Sequence, residues 1–174
     1  MGVTLGQSLI KSNHKIFWAS ENRSQETKDR ALQFGFEDLC DTKSLLEKCD
    51  LVFVIATQGG PTDIANMIID NNYSGIVCDA NNLYGKESEI FFYDLYASAK
   101  IRYVEASLFS YPYDISYGRI LEHTIYLSGE YAGIVAGLFT DDYWDVRLNV
   151  QSAKEIKRDR VIQEKILRGE TLSP

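Results

Sequence analysis

Two glycines at the start of the chain, spaced G-x-x-x-G, stand where an eroded phosphate cradle would open a helix. In Met1-Gly2-Val3-Thr4-Leu5-Gly6-Gln7-Ser8-Leu9-Ile10, Gly2 and Gly6 keep two of the three glycines of G-x-G-x-x-G, and Leu5, Leu9 and Ile10 have helical spacing. A glycine turn that opens a helix lets backbone approach a pyrophosphate, while the first N–H groups of the helix offer donors and positive partial charge. The plainer alternative is an N-terminal turn with a helix cap. Other reactive residue types are sparse. Cys40, Cys49 and Cys78 form no C-x-x-C pair, and His14 and His123 are the two histidines, so little is available to build a zinc site. The cysteines read as free and mostly buried thiols, and His14 as a turn residue that caps or packs.

Composition narrows the classes of function. A chain of 174 residues with 45% hydrophobic and 25% charged residues is ordinary for one globular domain with a core of its own. A net charge of −7 argues against general nucleic-acid binding, which depends on clustered Lys and Arg, but leaves room for a small anion in a local pocket. No apolar run reaches the ~18 residues of a membrane span, and no secretory signal stands at the N-terminus. The expectation is a cytoplasmic protein with neither nucleic acid nor membrane as partner.

The elements that must position a site alternate between strand and helix. A helix is expected from about Thr4 to Ser12, then a strand at Lys15–Ala19 and an amphipathic helix at Gln25–Phe34 stopped by Gly35. Phe36–Leu39 is extended, and Asp41 or Thr42 opens a helix that reaches Cys49. Leu51-Val52-Phe53-Val54-Ile55-Ala56 is the strongest strand, a continuous apolar run suited to a parallel sheet covered on both faces. Thr57-Gln58-Gly59-Gly60-Pro61 ends it, and helices follow at Thr62–Asp70 and Lys86–Lys100, with strands at Gly75–Ala80 and Ile101–Ala106. After the aromatic loop Phe109–Tyr113 come a strand at Thr124–Gly129, a helix at Tyr131–Phe139 and a last strand at Trp144–Val150. Gln151–Leu167 reads as a charged helix with Ile156, Val161, Ile162 and Ile166 as a narrow stripe suited to self-association. The order describes a doubly wound, mostly parallel α/β sheet of the Rossmann type over residues 1–150, its first strand missing, followed by a C-terminal helix and tail at 151–174.

Several pieces recur in a familiar order: the glycine turn, Asn22-Arg23-Ser24, the strand end from Val54 to Pro61, Asp79-Ala80-Asn81-Asn82, Tyr103-Val104-Glu105-Ala106-Ser107 and Leu127-Ser128-Gly129. Together they resemble the NADP-binding domain of the 6-phosphogluconate dehydrogenase and 3-hydroxyisobutyrate dehydrogenase superfamily, over about residues 2 to 150. The resemblance implies that Gly2, Val3, Thr4 and Gly6 lie under the pyrophosphate, and that Arg23 and Ser24 contact the adenosine 2′-phosphate. A guanidinium suits that task because it makes bidentate, charge-assisted bonds to phosphate. Glu21 pulls the other way, since an acid there can hold a free ribose 2′-hydroxyl. Thr57, Gln58 and Gly59 match the loop beside the nicotinamide ribose, and Asn81 and Asn82 the loop that reaches nicotinamide and substrate. Each has a plain counterpart: a Gly-Gly-Pro turn, and a helix cap.

By the same resemblance, Lys154 or Lys157 stands near the place of the general acid/base lysine, although both lie in a mixed-charge helix that reads more readily as a solvated face. Two departures temper the likeness. The substrate loop, Ser107 to Tyr113, has no glycine pair, and the family's all-helical second domain is mostly missing. The implied function is hydride transfer between NADP, with NAD as the other candidate cofactor, and a small hydroxy acid or related carbonyl compound, in a homo-oligomer joined through the C-terminal helix. The alternative is a non-catalytic nucleotide-binding or interaction protein derived from such a domain. The vacant first-strand position allows three outcomes: direct pairing of the Ile16 and Val54 strands, a strand supplied from elsewhere, or a coding start upstream of Met1.

Overall fold

The computed structural model describes residues 2–56, 60–81, 96, 101–109, 123–140 and 142–148. The expected helices at Lys86–Lys100 and Gln151–Leu167, apart from Tyr96, and the centre of the aromatic loop lie outside these residues. The chain begins with α1 (Gly2–Lys11), followed by β1 (Phe17–Trp18), α2 (Gln25–Gln33), β2 (Glu37–Asp38), α3 (Thr42–Lys48) and β3 (Leu51–Val54). Then come α4 (Gly60–Asp70), β4 (Ile76–Asp79), β5 (Arg102–Phe109), β6 (His123–Ser128), α5 (Ala132–Ala136) and β7 (Trp144–Leu148). Gly2 and Val3 are already helical, so the glycine pair forms no separate turn before α1; Gly2 opens the helix and Gly6 lies inside it.

Three helices end by one device. After α1, α2 and α4 the residue past the cap adopts a left-handed conformation, at Asn13, Gly35 and Asn72. In each case the next residue donates its N–H back into the last turn: His14 to Leu9, Phe36 to Ala31 and Tyr73 to Ile68. This pair of reversed bonds satisfies carbonyls left over at a helix end, and only Gly and Asn take the required φ cheaply. At the other ends, Ser24 caps α2 and Asp41 caps α3 through bonds to Thr27 N and Ser44 N.

The strands form two sheets rather than one. β1 pairs with β2 in parallel, and a five-stranded sheet runs β3-β4-β5-β6-β7. Within it β3, β4 and β5 are parallel, β6 is antiparallel to β5, and β7 is parallel to β6. The direct pairing of the Ile16 and Val54 strands considered from the sequence does not occur. The two sheets nevertheless point the same way. Lys48, at the end of α3, holds its Nζ 5.9 Å from the Phe17 ring at the start of β1. Thr42, at the start of α3, donates its N–H to Glu21 just past the end of β1 (3.4 Å). α3 therefore runs against β1, and β3, returning from α3, runs with it.

Helices cover both faces, which is what the apolar β3 run requires. On one face Leu5 and Leu9 of α1 and Ala132 and Val135 of α5 share a cluster with Cys78, Val104, Ala106, Ile125 and Leu127. On the other, Leu46 of α3 and Ala65 and Ile68 of α4 pack with Val52, Val54, Val77 and Tyr96. All four residues of β4 are buried, as befits a strand with neighbours on both sides. The end of α1 is tied to the β6–α5–β7 unit. The Leu138 carbonyl can only accept, so the His14 Nε2 3.1 Å away carries its proton. Thr140 N donates to Ser12 Oγ (3.1 Å), and Lys11 lies over the Tyr143 ring.

Two glycines are required by close approach. A Cβ on Gly6 would stand 2.3 Å from the Phe36 ring, and one on Gly75 would stand 2.1 Å from the Tyr73 hydroxyl and 2.5 Å from the Asp50 carbonyl. Phe36 is only partly buried and can swing aside, whereas Asp50 O is fixed by its bond from Ile76 N (2.9 Å) at the start of the β3–β4 ladder. Gly75→Ala is thus expected to cost ~2–3 kcal/mol in urea unfolding and Gly6→Ala less, the usual range for forcing atoms into a packed site. Equal and negligible losses would show that neither contact constrains the fold.

Candidate functional site

Because β1 to β5 run in one direction, the segments that leave their carboxyl ends share one edge of the molecule. These are the loop after β1, the loop after β2, Ile55–Ala56 after β3 and Ala80–Asn81 after β4. In open α/β sheets this edge is where ligands bind.

The loop after β1 is a tight turn in which Arg23 N donates to Ser20 O (3.1 Å), with Asn22 at φ +57°. It is bound to the loop after β2: Glu21 N donates to Cys40 O (2.8 Å), and Ser20 N and Cys40 N both donate to Asp38 Oδ1. A hydrogen bond from the Ser20 side chain, with smaller contributions from the Cys40 and Ser20 N–H groups, holds the Asp38 carboxyl below the usual carboxylate range. Glu21 has its carboxylate on Thr42 N, at the positive end of α3. Glu21 and Arg23 are both exposed, and among the described residues the Arg23 guanidinium has no hydrogen bond or ion pair. Ser24 is engaged locally, its Oγ accepting from Thr27 N (3.3 Å) and lying 3.0 Å from Thr27 Oγ1.

At the start of α1, Gly2 is exposed, Val3 partly buried and Thr4 and Gly6 buried; a Cβ on Gly2 would meet nothing within 4 Å. The first N–H groups of this helix have no partner within it. They supply hydrogen-bond donors and the positive end of the helix dipole.

At the ends of β3 and β4 a buried polar hub joins the two strands. Asp79 is 1% exposed. Its Oδ1 accepts from Asn81 N (2.9 Å) and Asn81 Nδ2 (2.7 Å), and its Oδ2 from the Tyr103 hydroxyl (3.1 Å). Asn81 in turn accepts from Ala56 N through Oδ1 (2.6 Å). Both ends of the Asn81 carboxamide are therefore used inside the protein, where it fixes Ala56, the residue before Thr57. Tyr96 stacks on Tyr103 at 5.2 Å, and Ser128 Oγ donates to Glu105 Oε2 one strand further on. Asp79 was missed as a site residue from the sequence; the signal was a carboxylate ending the otherwise apolar Ile76-Val77-Cys78-Asp79.

Thr57, Gln58, Gly59, Asn82, Lys154 and Lys157 lie outside the described residues. Of the cysteines only Cys78 is buried; Cys49 is intermediate and Cys40 exposed at φ +67°, so the expectation of mostly buried thiols needs correcting. His123 is buried between Tyr143 and Trp144, with ring centroids 5.2 and 5.1 Å away, and burial pushes its imidazole below the ordinary value. Among the described residues no helix is long and apolar enough to cross a membrane.

With this geometry in view, comparison with solved structures is informative. A conserved protein described as structurally similar to 3-hydroxyacid dehydrogenases matches with a TM-score of 0.72 at 18% identity, over 96% of this chain and 60% of that one. An imine reductase from Myxococcus stipitatus in complex with NADP+ matches with a TM-score of 0.70 at 14% identity, over 97% of this chain and 60% of that one. This chain has the Rossmann-like dehydrogenase fold. A variant of the same reductase in complex with NAD+ matches at 0.69 and 13% identity, over 97% of this chain and 59% of that one. The chain thus spans about 60% of the length of these structures. No family model matches the sequence, and no curated protein is significantly similar to it.

Proposed function

We propose that the chain is the nucleotide-binding domain of an NAD(P)-dependent oxidoreductase, with NADP as the preferred cofactor. The observation that carries the reading is the Arg23 guanidinium, exposed and without a partner among the described residues in the loop after β1, in a fold shared with a reductase solved with NADP+. Glu21 accepts from Thr42 N through Oε2 and keeps its negative charge, so it pulls toward NAD where Arg23 pulls toward NADP. In this reading the first turn of α1, from Gly2 to Thr4, faces the pyrophosphate and Gly6 packs the helix on Phe36. Arg23 grips the 2′-phosphate, with Ser24 shaping the turn beside it. Thr57, Gln58 and Gly59 flank the nicotinamide ribose. Asn81, through Asp79 and Ala56, positions that loop.

Bound nicotinamide would take a hydride from a small hydroxy acid when oxidised, or give one to the related carbonyl compound when reduced. Asn82 would orient that substrate, and Lys154 or Lys157 would exchange its proton.

The Arg23→Ala variant tests the cofactor assignment. Losing a hydrogen-bonded charge contact worth ~1.5–3 kcal/mol should weaken NADP about 10- to 150-fold and leave NAD within about twofold. Equal weakening of both nucleotides in a binding titration would contradict the role given to Arg23. Tight binding without turnover of any hydroxy acid would favour the non-catalytic alternative.

A further inference from the structure

β7 is the last strand of the five-stranded sheet, paired with β6 on one side and with no strand on the other among the described residues. A strand in that position turns half of its N–H and C=O groups outward, where they can pair with another chain. Its side chains are open too. In Trp144-Asp145-Val146-Arg147-Leu148 only Trp144 is buried; Asp145, Arg147 and Leu148 are exposed, Leu148 to 58%. Five large apolar side chains are exposed among the described residues, and two of them, Leu148 and Ile134, belong to β7 and to α5, which packs on it.

The two faces of the strand differ. Trp144 and Val146 face the cluster under α1 and α5, and Leu148 is next in that row. Asp145 and Arg147 face the other way, in register with Thr124 and Tyr126 of β6. There Arg147 donates to Asp145 Oδ2 through Nε (2.7 Å) and lies over the Tyr126 ring, which Phe109 meets edge-on. The outermost strand thus carries an acid and a base on one face, two residues apart, with Val146 between them.

An edge that presents one sign of charge repels its own copy. This edge does the reverse. A two-fold axis perpendicular to the sheet at Val146 sets Trp144 opposite Leu148 of the second copy, Asp145 opposite its Arg147 and Val146 opposite its Val146. Two pairs of opposite charges then face each other across the seam, and exposed Leu148 is covered by Trp144. Moving the axis by one residue either way brings Asp145 opposite Asp145 or Arg147 opposite Arg147, and like charges directly opposite destabilise a sheet. The charge pattern therefore selects a second copy as the partner and fixes the register.

We propose that two copies of the chain pair along β7, antiparallel and centred on Val146, so that their sheets join edge to edge. The inference rests on the β7 edge and depends neither on nucleotide binding nor on the C-terminal helix.

Sedimentation of the full chain from micromolar to millimolar concentration should show a monomer–dimer equilibrium. Asp145→Arg and Arg147→Asp each set like charges opposite on both sides of the axis and should raise the dissociation constant at least about tenfold. Mixed in equal amounts, the two variants should associate as a heterodimer with the affinity of the native chain, because each again meets opposite charge. The double swap Asp145→Arg/Arg147→Asp should dimerise alone in the same way. Both positions are exposed, so the urea midpoints of the variants should match that of the native chain, which separates lost pairing from lost folding. A native chain that stays monomeric throughout, a dimer that neither single variant weakens, as one joined through the C-terminal helix would be, or single variants that fail to associate when mixed would overturn the proposal.

Discussion

Asp79→Ala is expected to lower the free energy of unfolding by about 3–5 kcal/mol, the range for removing one member of a buried, hydrogen-bonded charged group. The carboxylate is almost fully buried and accepts from Asn81 N, Asn81 Nδ2 and the Tyr103 hydroxyl. Without it these groups lie in a site that cannot solvate them, each at a cost of about 1–3 kcal/mol before relaxation. The damage should spread to Ala56, whose N–H depends on an Asn81 side chain held by Asp79. Urea denaturation measures the loss, and nucleotide affinity should fall with it because Ala56 leads directly into Thr57, Gln58 and Gly59, the residues proposed to flank the nicotinamide ribose. Asn81→Ala should cost less than Asp79→Ala, since it leaves the carboxylate its bond from Tyr103. A loss below 1 kcal/mol for Asp79→Ala would mean that the hub does not hold the strand ends.

Alkaline unfolding should be steep. Tyr73, Tyr96 and Tyr103 are all pushed well above the ordinary tyrosine value, in each case first by burial. The negative charge of Asp79 adds to the effect for Tyr96 and Tyr103, and Cys49 and Asp50 add to it for Tyr73. Two of these hydroxyls also donate, Tyr73 to Cys49 O (3.0 Å) and Tyr103 to Asp79. The folded chain therefore keeps three protons that the unfolded chain releases near pH 10. Their contribution is complete below that pH and declines as pH rises through it, by about 1.4 kcal/mol per pH unit for each tyrosine. Absorbance at 295 nm should show these 3 of the 11 tyrosines ionising only together with unfolding. Reversible ionisation of all eleven near pH 10 in the folded chain would contradict this.

The sheet was legible because β3 and β4 carry continuous apolar runs, and residues buried on both faces leave that mark whatever their neighbours. Helix ends were legible where one residue type signals them, as Gly35 does after α2. The division into two sheets was not. The order of elements showed a vacant first-strand position, but whether the flanking strands close over it depends on which backbone edges meet, which the side chains of Phe17 and Phe53 do not record. The start of α1 was misjudged for a related reason: glycines that suit a turn also suit a helix packed closely on Phe36. Arg23 could be singled out by its resemblance to a phosphate-contacting residue, but the attachment of Glu21 to Thr42 N required the long-range contact between the loop after β1 and α3. The polar hub remained hidden because Asp79, Asn81, Tyr103 and Ala56 come together only when three strands align.

Titration of the full chain with NADP and with NAD, followed by calorimetry and by the fluorescence of Trp18 beside the loop after β1, tests the central claim most directly. The account predicts that both nucleotides bind, NADP at least about tenfold more tightly, with a Trp18 signal that saturates along with the heat. Failure of either nucleotide to bind at millimolar concentration would contradict it.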